Sequence, residues 1–349
     1  MAAFPTSLPS PRTPGPMSAP PLRWGILGTG WIAERFVQSV TRHTRQEFVA
    51  VGSRDARRAK EFASAHNVRR FYGAYEDLVA ASDVDIVYVA TVHNAHWPCA
   101  RLALEAGKHV LVEKPLALNA AQASQMAQLA AETGRFCGEA LWTYFLPKFD
   151  VVRQLLDAGA LGEIRTVIAD FGAHFSLDHR IMRQDLAGGP LLDLGTYPIS
   201  LAKWVLGPLD CAAAVGQPHE AGVNGQLAAI LCDNNGNEAL VHTTICSDTP
   251  TQATIGGALA TLTISGPFYT PGEFVVTSND GSTPLVFSEE RVAHSALYFE
   301  AAAAARSVSS GETQFSNWTL DDSIETLRIM DAIRSRCGIS FAGEGTGPN

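Results

Sequence analysis

Nowhere in the 349 residues do about 18 apolar residues follow one another, the length a helix needs to cross a bilayer. A basic block is missing too. The chain holds 26 Lys and Arg against 35 Asp and Glu, a formal charge of −9. Binding to nucleic acid is driven by neutralising phosphates, and binding to anionic lipid by the same sign of charge. Neither a nucleic acid nor a membrane is therefore an expected partner. The six cysteines, Cys99, Cys137, Cys211, Cys232, Cys246 and Cys337, form no CxxC pair and lie scattered through apolar stretches. This argues against a zinc site or a disulfide framework, and no metal is expected. It favours reduced, buried thiols in a cytoplasmic protein. No internal repeat of solenoid period is visible.

What is present describes a globular chain: 46% of residues are hydrophobic and 17% charged, and the length exceeds one ordinary core, so two domains are expected. Residues 1–21 are rich in Pro, Ser and Ala with no apolar run, and read as a disordered tail. From residue 22 to 142 strand and helix signals alternate. Strands are expected at 22–27, 47–52, 85–90, 109–112 and 136–141, and helices after Gly30, after Asp55, over 97–106 and from Asn119 to about 132. Repeated βαβ units imply a doubly wound parallel sheet of the Rossmann type. The remainder, 143–349, changes character. Residues 165–175 alternate, 228–232 and 238–245 flank a turn-rich Asp233–Asn237 loop, and strands are expected at 252–255, 259–264 and 274–278. The expected domain is α+β with a large, open, mostly antiparallel sheet, closed by a helix over 319–336.

Gly28-x-Gly30-x-x-Ala33 follows the first strand and opens a helix. Gly28 permits the tight turn, Gly30 removes a side chain where a pyrophosphate approaches, and Ala33 lets the helix lie close to the sheet. The helix N-terminus offers free N–H groups to phosphate. Thr29, Trp31 and Ile32 fall in the same loop. At the end of the second strand stands Gly52-Ser53-Arg54-Asp55. Ser53 and Arg54 suit a 2′-phosphate, which favours NADP, while Asp55 keeps NAD possible.

Glu113-Lys114-Pro115 follows a further strand, at the edge where ligands of open α/β sheets bind. A lysine there can hold a ribose and a substrate oxygen. Gly188-Gly189-Pro190 leads into Asp193 and Tyr197, four residues apart, so a helix would place both on one face. A phenol near an ammonium can exchange a proton with a carbonyl/alcohol pair. Lys114, Asp193 and Tyr197 are the catalytic candidates.

These motifs, with the segments 90–115, 138–147 and 187–197, make the chain similar to the glucose-fructose oxidoreductase/inositol dehydrogenase (Gfo/Idh/MocA) family over about residues 22–339. Within it the EALWTYFLP stretch and the tyrosine at 197 resemble the branch of dimeric dihydrodiol dehydrogenase and NADP-dependent D-xylose dehydrogenase. The resemblance implies an NADP-dependent dehydrogenase of a sugar or polyol, with Lys114 lowering the Tyr197 phenol and Asp193 helping both. It implies cofactor contacts from Thr91, His93, His96, Glu113, Lys114 and Trp142, and a homodimer or homotetramer formed through the open sheet. His174 and Arg183, in the stretch 173–183, join Lys114, Asp193 and Tyr197 as expected substrate contacts. Pro190 departs from the family's usual small residue. A keto-sugar or anhydrosugar reductase of the same fold is an alternative, and a dinucleotide-binding regulator without turnover is another.

Overall fold

A computed structural model describes residues 4–344. The first half follows the alternation of the sequence. The elements are β1 (Arg23–Leu27), α1 (Trp31–His43), β2 (Glu47–Gly52), α2 (Ala56–His66), β3 (Arg70–Tyr72), α3 (Tyr75–Val79), β4 (Ile86–Val89), α4 (His96–Glu105), β5 (His109–Glu113), α5 (Ala120–Thr133) and β6 (Cys137–Ala140). The strands form one parallel six-stranded sheet in the order β3-β2-β1-β4-β5-β6. Strand β4 (IVYV) is buried throughout, as in a sheet with helices on both faces. Asp55 caps α2, Asn119 caps α5, and Gly134 ends α5 in the left-handed conformation. The order reverses between β1 and β4, which opens a crevice at their carboxyl ends.

The second half supplies α6 (Pro147–Asp157), β7 (Ile164–Gly172), α7 (Pro190–Asp193), α8 (Thr196–Leu206), β8 (Asp210–Pro218), β9 (Asn224–Cys232), β10 (Glu238–Thr244), β11 (Ala253–Gly257), β12 (Ala260–Ile264), β13 (Glu273–Ser278), β14 (Leu285–Ser288), α9 (Tyr298–Ser309) and α10 (Leu320–Cys337). Its eight-stranded sheet runs β14-β13-β12-β11-β7-β10-β9-β8, antiparallel except for the β7–β10 pair. One face packs on α7, α8 and α10. The other is open. One register row crosses it as Ala213, Ile230, Leu240, Ile168, Thr254, Thr263, Val275 and Val286. In that row Ile168 is 50% exposed, Ile230 41%, Leu240 40% and Val286 57%, a degree of apolar exposure that asks for a cover.

Two expectations are corrected. Residues 4–21 are not a free tail. Arg12 donates from its backbone N (2.6 Å) and its Nη2 (2.9 Å) to Asp150 of α6, Gln154 donates to the Ser10 carbonyl, and Arg306 of α9 donates to the Gly15 carbonyl. Ala19 is fully buried beside Ala302 and Ala305, and Phe4 and Leu8 pack on the main core. The segment has too little apolar surface to fold alone, but α6 and α9 supply the rest. Asp193 and Tyr197 also do not share a helix. Asp193 ends the short α7, and Gly195 starts α8 with Tyr197 in its first turn. The two side chains therefore leave from different axes.

Candidate active site

A cavity of about 1370 Å³ opens at the carboxyl ends of β1, β4 and β5 and runs beneath β7. At its first wall the backbone explains the glycine pattern. Gly28 has φ +107°, and a Cβ there would stand 2.4 Å from the Ala90 carbonyl oxygen, so no other residue fits. Gly30 caps α1, and a Cβ built on it would meet nothing within 4 Å. The N-terminus of α1 thus faces open space with no side chain in the way, and Ala33 is fully buried against the sheet. Thr29, Trp31 and Ile32 line the same wall. This cradle fits the pyrophosphate of a dinucleotide.

Beyond β2, Ser53, Arg54, Arg58 and Tyr75 line one end of the cavity. The carboxylate of Asp55 is already engaged, accepting from the N–H of Arg57 at 2.9 Å and of Arg58 at 3.4 Å as the cap of α2. The Ser53 hydroxyl accepts from the Asp55 N–H at 3.2 Å. Burial raises the Tyr75 phenol, and the neighbouring Arg54 guanidinium opposes that shift. Two guanidinium groups and a hydroxyl make this end a site for an anion.

At the other end β5 delivers Lys114. Its Nζ donates to the Asp193 carbonyl at 2.6 Å and to Asp193 Oδ1 at 2.9 Å, while Arg180 Nη2 lies 2.9 Å from Oδ2. Burial alone would raise the Asp193 carboxyl. Lys114 and Arg180 outweigh it and hold the group well below the usual carboxylate range. His93 lies 4.0 Å from Asp193 and its Nδ1 is buried without a hydrogen-bond partner. Burial pushes His93 down to about 3 and His96 to about 4, so both are neutral rings at ordinary pH. His96 Nδ1 lies 2.8 Å from the Pro115 carbonyl and Nε2 3.3 Å from that of Thr91, and the neutral ring donates to one of the two. Glu113 lies behind Lys114 and accepts from the Tyr88 hydroxyl; burial raises its carboxyl to about 7.

Tyr197 is buried, and its hydroxyl accepts from the Trp142 indole N–H at 3.2 Å. Its ring stacks on Tyr269 at 4.2 Å and 23°, and Tyr269 stacks in turn on Phe171 at 4.8 Å. Lys114 Nζ lies 5.2 Å from the centre of the Tyr197 ring. The expectation that Lys114 lowers the phenol is therefore corrected. The ammonium sits over the ring with Asp193 as its counter-ion, and burial, with Tyr269 beside it, holds the Tyr197 phenol well above its ordinary value. Across the mouth His294 stacks on Trp142 at 5.5 Å and meets the edge of Trp31 at 4.7 Å.

All fifteen expected cofactor and catalytic positions line this one cavity: Gly28, Thr29, Gly30, Trp31, Ile32, Ser53, Arg54, Thr91, His93, His96, Glu113, Lys114, Trp142, Asp193 and Tyr197. Two expected substrate contacts do not. Along the chain leaving β7, Phe171, Ala173 and Phe175 line the cavity, whereas the intervening His174 does not and is exposed; its backbone N–H donates to Asp248 at 2.9 Å. Arg183 is spent on Asp185, with Nε donating at 2.8 Å on the exposed surface. Arg180, within the stretch 173–183 where substrate contacts are expected, lines the cavity, whereas Arg58, Tyr75, Phe171, Tyr269 and His294 line it and escaped the sequence reading. The parity of 171, 173 and 175 could have found the first wall of the substrate end. Tyr269 and His294 carry no local signal.

Comparison with known proteins agrees with this construction. Residues 22–140 match an oxidoreductase family with an NAD-binding Rossmann fold, and residues 149–265 match the GFO/IDH/MocA C-terminal domain. The trans-1,2-dihydrobenzene-1,2-diol dehydrogenase of Bos taurus is 37% identical over 268 residues, covering 76% of this chain and 80% of its own. The chain belongs to the Gfo/Idh/MocA oxidoreductase family. The enzyme of the same name from Mus musculus is 33% identical over 327 residues, covering 92% of this chain and 98% of its own. Among solved structures, KijD10, a 3-ketoreductase from Actinomadura kijaniata in complex with NADP and TDP-benzene, superposes with a TM-score of 0.82 at 29% identity, covering 91% of this chain and 98% of that one. This Gfo/Idh/MocA member is an NAD(P)-dependent oxidoreductase acting on a CH–OH group. Among the described residues no cluster of His, Cys, Asp or Glu could hold a metal ion, and no helix is long and apolar enough to cross a membrane.

Proposed function

We propose that this oxidoreductase uses NADP(H) in preference to NAD(H) and interconverts a hydroxyl and a carbonyl on a sugar, polyol or cyclic diol, with Tyr197 as the proton-exchanging group. The observation that carries the reading is the division of labour within one cavity. The side chains of Arg54 and Arg58 stand free of Asp55 at one end, and at the other the Lys114–Asp193 ion pair lies beside the Tyr197 ring. NADP(H), when bound, supplies the hydride acceptor or donor.

This chain's residues do the rest. Gly30 and the α1 terminus seat the pyrophosphate, and Ser53, Arg54 and Arg58 receive the 2′-phosphate. Tyr197 Oη takes the substrate's hydroxyl proton during oxidation and returns it during reduction. Trp142 aims that oxygen from one side through its indole N–H. Lys114 sets a positive charge where the substrate oxygen becomes alkoxide-like, and Asp193, itself pinned by Arg180, fixes the ammonium. Phe171, Phe175 and Tyr269 give the substrate end an apolar wall, which suits the ring face of a sugar or a cyclic diol. The dihydrodiol dehydrogenases support the oxidative direction, and the likeness to KijD10 supports reduction of a keto-sugar as the second reading.

The apolar row on the open sheet supports a homodimer formed face to face, with a tetramer as the larger option. Six free cysteines support a cytoplasmic location.

A spectrophotometric screen tests the function. NADP⁺ and NAD⁺ reduction are followed with aldoses, polyols and trans-dihydrodiols, and NADPH oxidation with keto-sugars. Turnover with NADP⁺ on an aldose or diol is the expected result. Turnover only of keto-sugars moves the assignment to a reductase. Tight NADPH binding with no turnover in either direction overturns it in favour of a regulator.

A further inference from the structure

Lys148 is the second residue of α6, and none of it reaches solvent. A buried amine is costly unless its donors are met. Here the main chain meets two of them. Nζ donates to the Phe268 carbonyl at 3.0 Å and also to the Thr270 carbonyl. The carbonyl between these two, that of Tyr269, accepts from the Thr143 hydroxyl at 3.0 Å. Three consecutive carbonyls of one loop are thus gripped by two side chains from the segment 143–148. The Thr270 hydroxyl closes the loop on itself by donating to the Pro267 carbonyl at 3.0 Å.

What this grip holds in place is a ring at the reacting centre. Tyr269 stacks on Tyr197 at 4.2 Å and on Phe171 at 4.8 Å, both inclined by 23°, and those two rings also touch each other at 5.9 Å. Trp142 fixes the hydroxyl of Tyr197 at one end, and Tyr269 limits the tilt of its ring along the whole face. Lys148 touches neither the cavity nor Tyr197, yet it decides where the loop carrying Tyr269 can sit. A lone buried lysine with a merely structural task would need acceptors, but nothing would require those acceptors to flank the residue stacked on the acid–base group.

We propose that Lys148 is a positioning residue for the reaction: by clamping the loop 268–270 it keeps Tyr269 stacked on Tyr197 and so sets the direction in which the phenol exchanges its proton. This rests on the reading of Tyr197 as the acid–base group. Small displacements of reacting groups are expensive, roughly 10- to 100-fold in rate for about 1 Å.

The test is a double-mutant cycle on the full-length enzyme, read by steady-state kinetics and by NADPH titration. Lys148→Met keeps the unbranched chain up to the position of Cε and removes the donors. Thr143→Val, which releases only the middle carbonyl, serves if Lys148→Met does not fold. Each should lower kcat/KM by roughly 10- to 100-fold with the NADPH dissociation constant unchanged. On a Tyr269→Ala background, where nothing is left to position, either substitution should add no further loss in kcat/KM. Wild-type kcat/KM in the single variants, or the same factor lost again on the Tyr269→Ala background, overturns the role. A Tyr197→Phe variant separates the two failures. If it keeps its turnover, the acid–base reading falls and this role with it; if it is inactive while Lys148→Met is normal, only the positioning role falls.

Discussion

At the scale of single residues, the reacting centre is a matter of where charges are parked. Asp193 gives one carboxylate oxygen to Lys114 and the other to Arg180, so the ammonium is held rather than free to wander. Tyr197 is buried against Tyr269, and burial keeps its proton above the ordinary tyrosine range. Reduction needs the protonated phenol, and oxidation needs it deprotonated. Carbonyl reduction should therefore stay level up to about pH 10, the ordinary tyrosine value, while oxidation keeps rising with pH. A pH profile of kcat/KM in both directions checks this, and a reduction limb that falls away below about pH 9 contradicts it. Tyr197→Phe should lose turnover by roughly 10²- to 10⁴-fold and still bind NADPH. Arg54→Ala should weaken NADPH by about 10- to 100-fold, the worth of a charge-assisted hydrogen bond, and leave NADH nearly untouched; titration with both dinucleotides decides. The residues legible in the sequence were those whose role is written locally: two glycines that need a turn and an open wall, an arginine after a strand, a lysine at a strand's end. Tyr269 and His294 were not legible because each reaches the cavity from an element whose position only the finished fold determines.

Among the elements, those with a clear apolar period or a chemical cap were readable. Asn119 and Gly134 bracket α5, and Thr319 starts α10 with a reciprocal pair, its hydroxyl accepting from the Asp322 N–H while the Asp322 carboxylate accepts from the Thr319 N–H. Thr319→Ala should cost about 0.5–2 kcal/mol, measured by urea unfolding with kcat unchanged. Helix α9 escaped because YFEAAAAARSVS is too uniformly small to show a face: Ala301, Ala302, Ala304 and Ala305 are all buried, but a run of alanines has no stripe. Strand β3 escaped for want of length, with three residues and none buried. Residues 4–21 were misread for a related reason. Their order comes from Asp150, Gln154 and Arg306, far along the chain.

For the whole molecule, the two sheets have opposite needs. The first is covered on both faces; the second leaves a row of Ile230, Leu240, Ile168 and Val286 in solvent. Replacing Leu240 and Ile168 together by Lys should give a smaller species in light scattering that keeps its fold by circular dichroism. An unchanged mass would overturn the proposed dimer through this face. The union of the two halves carries a consequence of its own. Lys114 belongs to the first sheet, whereas Asp193, Arg180 and Tyr197 belong to the second half. The ion pair that completes the reacting centre is also a seam, and neither lobe owns a working site. Turnover needs both sheets held in place at once, and it reports that junction more sensitively than it reports either sheet alone. On heating, activity should vanish before either sheet loses its ellipticity.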